Sequence, residues 1–199
     1  MNRRFFLSAG IAAAATAAAT AASANPFANV VMFDPDTREP LIARPHAAVA
    51  QANAIPREIV AYNGAEAPGT VVVDTTERRL YFVMPGGQAM RYGIGVGRPG
   101  FEWGGSQTIT RKAEWPDWRP PVQMLQRRPD LPRYMPGGPD NPLGARAMYL
   151  GSSLYRIHGS NEPHTIGQAV SSGCIRMTNE DVVDLYDRVR VGTRVVVLR

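Results

Sequence analysis

The pattern of apolar and polar positions changes near residue 68. Residues 25–67 are rich in Ala, Pro and Asn and show no sustained periodicity, which predicts a linker or lightly structured N-terminal strap. Within it, a short helix is expected at residues 56–62. From residue 68 to residue 199, short apolar runs alternate with turns that contain Gly or Pro, a pattern typical of one mainly β domain.

Six segments after residue 68 have the composition of strands. The first two, residues 70–74 and 79–84, flank a polar turn and predict a β-hairpin. Residues 89–97 alternate apolar with small or polar positions, as in a half-buried strand. The remaining three segments are residues 147–150, 154–158 and 193–198.

One helix and one long loop complete the pattern. A capping-box sequence begins at Thr178, and apolar residues then recur at helical spacing from Val182 to Val189. Residues 115–142 contain eight prolines, which excludes regular structure over most of that span. Long ordered loops usually bind a ligand, so we expect this one to lie over a groove; the alternative is a rigid surface loop pinned by aromatic packing.

Residues 1–24 have the features of an export signal. Arg3 and Arg4 are followed by an apolar, alanine-rich stretch that ends in the small-x-small sequence Ala22-Ser23-Ala24. The arginine pair resembles a twin-arginine signal, although Asn2 stands where that pattern has Ser or Thr. The alternative is an uncleaved anchor. We expect cleavage and no stable membrane span, because alanine is only weakly apolar.

Charge narrows the range of partners. Removing residues 1–24 leaves 175 residues and lowers the formal charge from +5 to +3, because the removed segment holds two arginines and no acid. The charged residues are dispersed and form no long basic run, so nucleic acid is not an expected partner. Exported anionic polymers are compatible with this charge.

Cys174 is the only cysteine, and it follows His158 by sixteen positions. In an oxidising compartment a lone thiol is either buried as a small hydrophobe or kept because it reacts. Gly173 before it and Arg176 after it make the buried alternative less attractive. A thiol and an imidazole within folding reach form the pattern of a cysteine nucleophile and its general base.

His158 is the preferred base among three histidines. It ends a predicted strand, and the carbonyl of the following Gly159 is placed to orient the imidazole ring. His46 lies in the weakly structured region, and His164 lies in a polar loop with no fixed position relative to the thiol.

The residues around the cysteine suggest further roles. Gly173 permits close backbone approach, so the amides of Ser172, Gly173 and Cys174 are candidates for an oxyanion hole. Arg176 is a candidate for binding a substrate carboxylate, with a structural salt bridge as an equal alternative. We expect no metal site, because one Cys and three scattered His do not form a ligand cluster. No cofactor is expected.

The segments around these residues resemble one known family. Residues 157–163 and 166–177, the helix start that follows, and the upstream segments 111–116 and 138–147 are similar to the L,D-transpeptidase catalytic domain (YkuD-type). The resemblance covers residues 68–199. Two positions depart from the family pattern: Ser172 stands where many members have His, and His164 replaces an aromatic residue.

The resemblance implies a YkuD-type mixed β-sandwich with short helices and a periplasmic enzyme. Its partners would be peptidoglycan stem peptides, with a second stem or an outer-membrane protein or lipoprotein as acceptor. Cys174 would form a thioester with a tetrapeptide stem, which an acceptor amine resolves into a 3-3 crosslink or a protein attachment. The alternatives are L,D-carboxypeptidase, D-amino-acid exchange or amidase activity through the same acyl-enzyme, and a silent cell-wall-binding module.

Overall fold

The computed structural model describes Met32–Phe33, Pro40–Leu41 and residues 55–199. The expected signal at residues 1–24 and most of the expected strap lie outside these residues. In the described part of the chain, no helix combines the length and apolar character that crossing a membrane requires.

Thirteen strands and two α-helices are present in the described residues. The strands are β1 Met32–Phe33, β2 Pro40–Leu41, β3 Glu58–Ala61, β4 Val71–Asp74, β5 Arg79–Met84, β6 Gln88–Gly93, β7 Val96–Gly97, β8 Gly105–Glu114, β9 Arg146–Leu150, β10 Arg156–His158, β11 Ala169–Ser171, β12 Ile175–Arg176 and β13 Arg194–Leu198. The helices are α1 Val122–Arg127 and α2 Asn179–Arg188, and a short 3-10 helix spans Pro163–Thr165.

Nine of the strands form one mixed sheet in the order β12-β10-β9-β8-β13-β4-β5-β6-β3. Its neighbours run antiparallel except for the pairs β13–β4 and β10–β12, which are parallel. Two smaller pairs, β1–β2 and β7–β11, complete the strands. This architecture confirms the predicted mainly β fold with short helices.

The local sequence signals correspond to elements of the structure. The β4–β5 hairpin pairs Val71 with Phe82 around the predicted polar turn. α2 begins where the capping box predicts, because the Thr178 hydroxyl accepts a hydrogen bond from the Asp181 amide at 3.1 Å. Val182 and Leu185 of this helix are fully buried. They belong to the main core, which also includes Val71, Ile157 and Ile175.

Two sequence expectations differ from the structure, and one strand has no counterpart in the sequence analysis. The helix expected at residues 56–62 is wrong, because strand β3 pairs with β6 there. The expected strand at residues 89–97 is divided into β6 and β7, because Ile94 and Gly95 belong to neither strand. β8, the longest strand, has no sequence signal: only Ile109 of its ten residues is fully buried.

Residues 115–142, here called the cover, have a small core of their own. Its buried members are Trp118, Met124, Leu131 and Met135, packed with Leu143. Trp118 and Met135 exchange backbone hydrogen bonds of 2.8 Å, and α1 contributes one buried residue, Met124. The proline-rich cover is therefore an ordered element with a helical turn inside it.

The outer side of β12 is occupied by backbone from another part of the chain. Gly95 and Arg176 exchange two backbone hydrogen bonds of 2.9 Å each. A Cβ at residue 95 would lie 3.1 Å from the Thr165 carbonyl oxygen and 3.3 Å from the Arg176 Cβ. Glycine at this position permits the close approach.

Candidate active site

Strands β10 and β12 bring the predicted nucleophile and base to neighbouring positions. They are parallel, with Ile157 opposite Ile175 and His158 opposite Arg176. Cys174 directly precedes β12, so continuing this register by one residue places it beside Arg156. Because side chains alternate along a strand, Arg156, His158 and Cys174 belong to one face, while Ile157 and Ile175 face the core.

A groove of about 420 Å³ contains this face. Cys174, His158 and Ser172 line it on the strand side. Trp118, Met124 and Arg127 line it on the cover side. The prediction that the proline-rich loop lies over the groove is therefore confirmed.

The side chain of His158 is buried and held by its own strand end. Its Nδ1 lies 2.6 Å from the Gly159 carbonyl oxygen, and the residue is 4% exposed. Because a carbonyl only accepts hydrogen bonds, Nδ1 of the neutral ring donates and Nε2 is the basic nitrogen. This contact is the one that the sequence analysis assigned to Gly159.

Asn179 packs against the backbone of Gly159. Its Oδ1 accepts a hydrogen bond from the Ala145 amide at 2.8 Å. A Cβ added at Gly159 would lie 2.3 Å from the same Oδ1 atom. The close packing excludes a side chain at residue 159. It places Asn179, the first residue of α2, against the residue whose carbonyl oxygen contacts His158. Sequence reasoning did not single out Asn179, since it reads as an ordinary first residue of a helix.

Cys174 is partly exposed and forms no disulfide. Its Sγ lies 3.9 Å from the Leu154 carbonyl oxygen, in the turn that precedes β10. The sulfur therefore lies in the groove and not in the hydrocarbon core. This is the exposure that a reactive thiol needs.

The Ser171 hydroxyl holds the turn before the cysteine. It donates to the Cys174 carbonyl oxygen at 2.6 Å and accepts from the Gly173 amide at 3.1 Å. Gly173 has φ +103°, and a Cβ there would lie 2.6 Å from Cε1 of Tyr155. The existing bond of the Gly173 amide competes with its predicted use in an oxyanion hole. Ser171 is fully buried and was not singled out from the sequence.

Ser172 is tied to the loop between β7 and β8. Its hydroxyl accepts a hydrogen bond from Nη1 of Arg98 at 3.1 Å, and the Arg98 guanidinium lies 4.2 Å from the centre of the Phe101 ring. From the same loop, the Trp103 indole donates to the Gly173 carbonyl oxygen at 2.7 Å and stacks on Tyr155 with ring centres 4.5 Å apart. The only sequence signal for these contacts is the concentration of Arg and aromatic residues at 98–103.

Arg176 lies on the inner side of the groove and is 1% exposed. Its Nη1 is 3.7 Å from Oε2 of Glu162 and 3.3 Å from the Thr165 hydroxyl oxygen. This is the geometry of the structural salt bridge, the second of the two roles that the sequence left open. Burial of a paired guanidinium favours that role over substrate binding.

The described residues include one histidine besides His158. His164 lies in the 3-10 helix and is not among the residues that line it. His46 lies outside the described residues. Of the two histidines in the described residues, His158 is the one that shares the groove with Cys174.

Comparison with known proteins identifies the family of the chain and agrees with its fold. Residues 68–197 match the L,D-transpeptidase catalytic domain (YkuD). The chain therefore belongs to the L,D-transpeptidase catalytic-domain family.

Individual relatives of the chain are also named as probable L,D-transpeptidases. The chain is 42% identical over 137 residues to the probable L,D-transpeptidase ErfK/SrfK of Escherichia coli (strain K12), a match that covers 64% of this chain and 43% of that protein. It is 39% identical over 134 residues to the probable L,D-transpeptidase YbiS of the same organism, covering 63% and 43%. The chain thus spans less than half the length of these relatives.

The catalytic domain of the E. faecium L,D-transpeptidase, solved by NMR, has a similar fold. The TM-score is 0.52 at 20% identity, and the match covers 68% of this chain and 100% of that chain. At this identity the likeness concerns the fold alone.

Proposed function

We propose that this chain is a periplasmic L,D-transpeptidase that acts on peptidoglycan tetrapeptide stems through a thioester on Cys174. The main support is the placement of a partly exposed thiol and an oriented imidazole on neighbouring strands of one groove, in a chain of this family. The names of the relatives in E. coli support the same reaction class.

The first half of the reaction forms the acyl-enzyme. Nε2 of His158 accepts the thiol proton, and the sulfur attacks the carbonyl carbon that joins meso-diaminopimelate to the terminal D-alanine. The tetrahedral intermediate collapses with cleavage of the C–N bond. His158 returns its proton to the nitrogen, D-alanine leaves, and the stem remains as a thioester.

The second half transfers the stem to an amine. His158 deprotonates the incoming amine, which attacks the thioester carbon, and a new amide bond replaces the C–S bond. The sulfur departs and recovers its proton. An amine of a second stem gives a 3-3 crosslink, and an amine of an outer-membrane protein or lipoprotein gives an attached protein.

Backbone amides of the turn at residues 172–174 are proposed to stabilise the negative oxygen of both intermediates. Gly173 reaches this role only by sharing its amide with Ser171, whose hydroxyl accepts from it at 3.1 Å. We therefore propose that the amides of Ser172 and Cys174 contribute more than the Gly173 amide to stabilising the negative oxygen.

The test is the product profile of the purified protein with tetrapeptide-stem muropeptides. We expect a covalent adduct in the intact mass, release of D-alanine and formation of 3-3 crosslinked dimers, all abolished in Cys174→Ala. Tripeptide products without dimers would identify water as acceptor, and exchanged D-amino acids would identify exchange. Absence of an adduct in the wild type would leave the wall-binding module as the better description.

Export is proposed with the same domain limits as in the sequence analysis: a signal at residues 1–24, a strap at residues 25–67 and the catalytic domain at residues 68–199. The exported protein should begin at Asn25, which the intact mass of protein from the periplasmic fraction measures. A mass that retains residues 1–24 would contradict the cleavage.

A further inference from the structure

The groove is basic on both of its walls. Within residues 55–199, the side chains with a permanent charge that line it are those of Arg127, Arg156 and Arg176. Arg176 is buried against Glu162, and Arg127 lies in the last turn of α1 on the cover. Arg156 differs from both, because it lies on β10 two residues before His158 and is half-buried.

The Arg156 guanidinium is fixed close to the nucleophile. Its Nη2 and Nε donate to the Leu154 carbonyl oxygen at 3.1 Å and 3.3 Å. The Sγ of Cys174 lies 3.9 Å from the same oxygen. Sγ and Nη2 are therefore at most about 7 Å apart, the sum of the two distances to that oxygen.

The guanidinium keeps donors beyond those used on Leu154. A guanidinium carries five N–H groups in a planar fork, and the bonds to the Leu154 oxygen come from two of its nitrogens, Nη2 and Nε. The Tyr149 ring, 5.6 Å from Cζ, packs beside it. Two fixed bonds and an aromatic neighbour reduce the side-chain entropy that a ligand contact would cost.

This position matches one group of the substrate in the proposed function, on which the inference depends. In an attack geometry the sulfur lies about 3–3.5 Å from the carbonyl carbon of the last peptide bond. The carboxylate carbon of the terminal D-alanine is three bonds further along and about 3–4 Å from that carbon. The leaving residue's carboxylate thus falls within the range of the Arg156 guanidinium.

We infer that Arg156 is a specificity-determining residue that binds the free C-terminal carboxylate of the donor stem. The substrate class is then a peptide that ends in an unmodified carboxylate one residue after the attacked bond. With a longer stem or an amidated C-terminus, no carboxylate would lie at this position to pair with the Arg156 guanidinium. The sequence left Arg176 open between binding a carboxylate and a structural salt bridge, and the structure buries its side chain against Glu162.

The test compares two donors that differ only at the C-terminus, a tetrapeptide stem with a free carboxylate and the same stem as the C-terminal amide. The rate of acyl-enzyme formation is measured by intact mass for the wild type, Arg156→Gln and Arg156→Lys. Arg111→Gln is the matched control, because Arg111 lies 3.7 Å from the same Tyr149 ring and does not line the groove. Alkylation by iodoacetamide at several pH values reports the reactivity of the thiol itself.

We expect the wild type and Arg111→Gln to prefer the free carboxylate by about 10- to 100-fold, the range for a hydrogen bond to a charged group. Arg156→Gln should lose that preference through a slower reaction with the carboxylate donor, without a change in the alkylation profile. Arg156→Lys should retain part of the preference, because it keeps the charge and loses the planar fork.

Three results would overturn the inference. Equal losses with both donors would assign Arg156 a structural role at the Leu154 carbonyl. A parallel loss of alkylation by iodoacetamide would show that Arg156 acts on the reactivity of the Cys174 thiolate instead of on the donor. A preference that survives Arg156→Gln would place carboxylate recognition elsewhere. If neither donor acylates the wild type, the proposed function fails first, and the inference fails with it.

Discussion

The two walls of the groove are built in different ways. The strand wall, formed by β10 and β12, rests on the main core, where Ile157 and Ile175 are 0% and 1% exposed. The cover wall rests on a separate cluster around Trp118 and Leu131. The proposed nucleophile and base thus lie on strands that rest on the main core, and the opposite wall has its own small core.

Because the walls have separate cores, we expect the reaction geometry and the shape of the groove to respond to different substitutions. A change in the strand wall alters both stability and the geometry of bond breaking. A change in the cover alters the shape and charge of the groove while the thiol and imidazole stay in place. Substitutions in each wall therefore test the separation.

The largest effect is expected from His158→Gln. Removing the base should slow acyl-enzyme formation by at least about 100-fold, because positioned proton transfer contributes on that scale. His164→Gln is the matched control and should leave the rate near that of the wild type. Intact-mass time courses measure both; comparable losses in the two variants would contradict the assignment of the base.

Ile157→Ala tests the support of the strand wall. Deleting this fully buried side chain from the core face of β10, next to His158, should lower the free energy of unfolding by about 2–5 kcal/mol. Urea unfolding measures the loss. An unchanged midpoint would show that this strand is not part of the main core.

Leu131→Ala is the corresponding change in the cover. Because its cluster is small and separate, we expect a loss of roughly 1–2 kcal/mol in urea unfolding, with faster proteolysis within residues 115–142. Acylation by the stem donor should slow while alkylation of Cys174 by iodoacetamide stays unchanged. A loss as large as that of Ile157→Ala would mean that the two walls form one cooperative unit.

The smallest effect is expected at Asp184, behind the strand wall. A hydrogen bond from Arg188, aided by one from Tyr92, lowers the pKa of this carboxyl below its ordinary value. The ionised Asp184 therefore stabilises the folded protein at pH values above the ordinary pKa of the carboxyl. This stabilisation is lost as the pH falls through the lowered pKa of the folded state.

The wild type should therefore lose stability at acidic pH in part through Asp184, and Asp184→Asn should lose less over the same interval while being less stable at neutral pH. Thermal unfolding between neutral and strongly acidic pH measures both. Asp187→Asn, which removes an exposed carboxylate from the same helix, is the control. Identical acid profiles for the wild type and Asp184→Asn would contradict the assignment.

The sequence predicts the elements whose signals are local. The β4–β5 hairpin follows from alternating residues around a polar turn, and α2 follows from its Thr178 cap. β8 carries no such signal, because its neighbours on both sides satisfy its backbone while most of its side chains face solvent. Its strand conformation is set by tertiary pairing, which sequence periodicity does not report.

The same distinction holds for the candidate site. Cys174 and His158 are found from residue type and flanking glycines, since few other residues can serve as nucleophile and base. Arg98 and Trp103 depend on which loops become neighbours, so their contacts with the cysteine turn are visible only in the fold. The position of Arg156 beside the thiol likewise follows from the pairing of β10 with β12. For Arg176 the sequence left a substrate contact and a structural salt bridge open, and the ion pair with Glu162 is visible only in the fold.

If the chain acts on stem peptides as proposed, the backbone exchange between Gly95 and Arg176 restricts how such a peptide enters the groove. With the Arg176 amide and carbonyl both engaged, a stem peptide cannot dock by strand addition along β12. We therefore expect side chains of the groove, and not a ladder of main-chain bonds along β12, to recognise it. Chemical modification of the stem's charged groups should therefore be sensed more strongly than changes along its backbone.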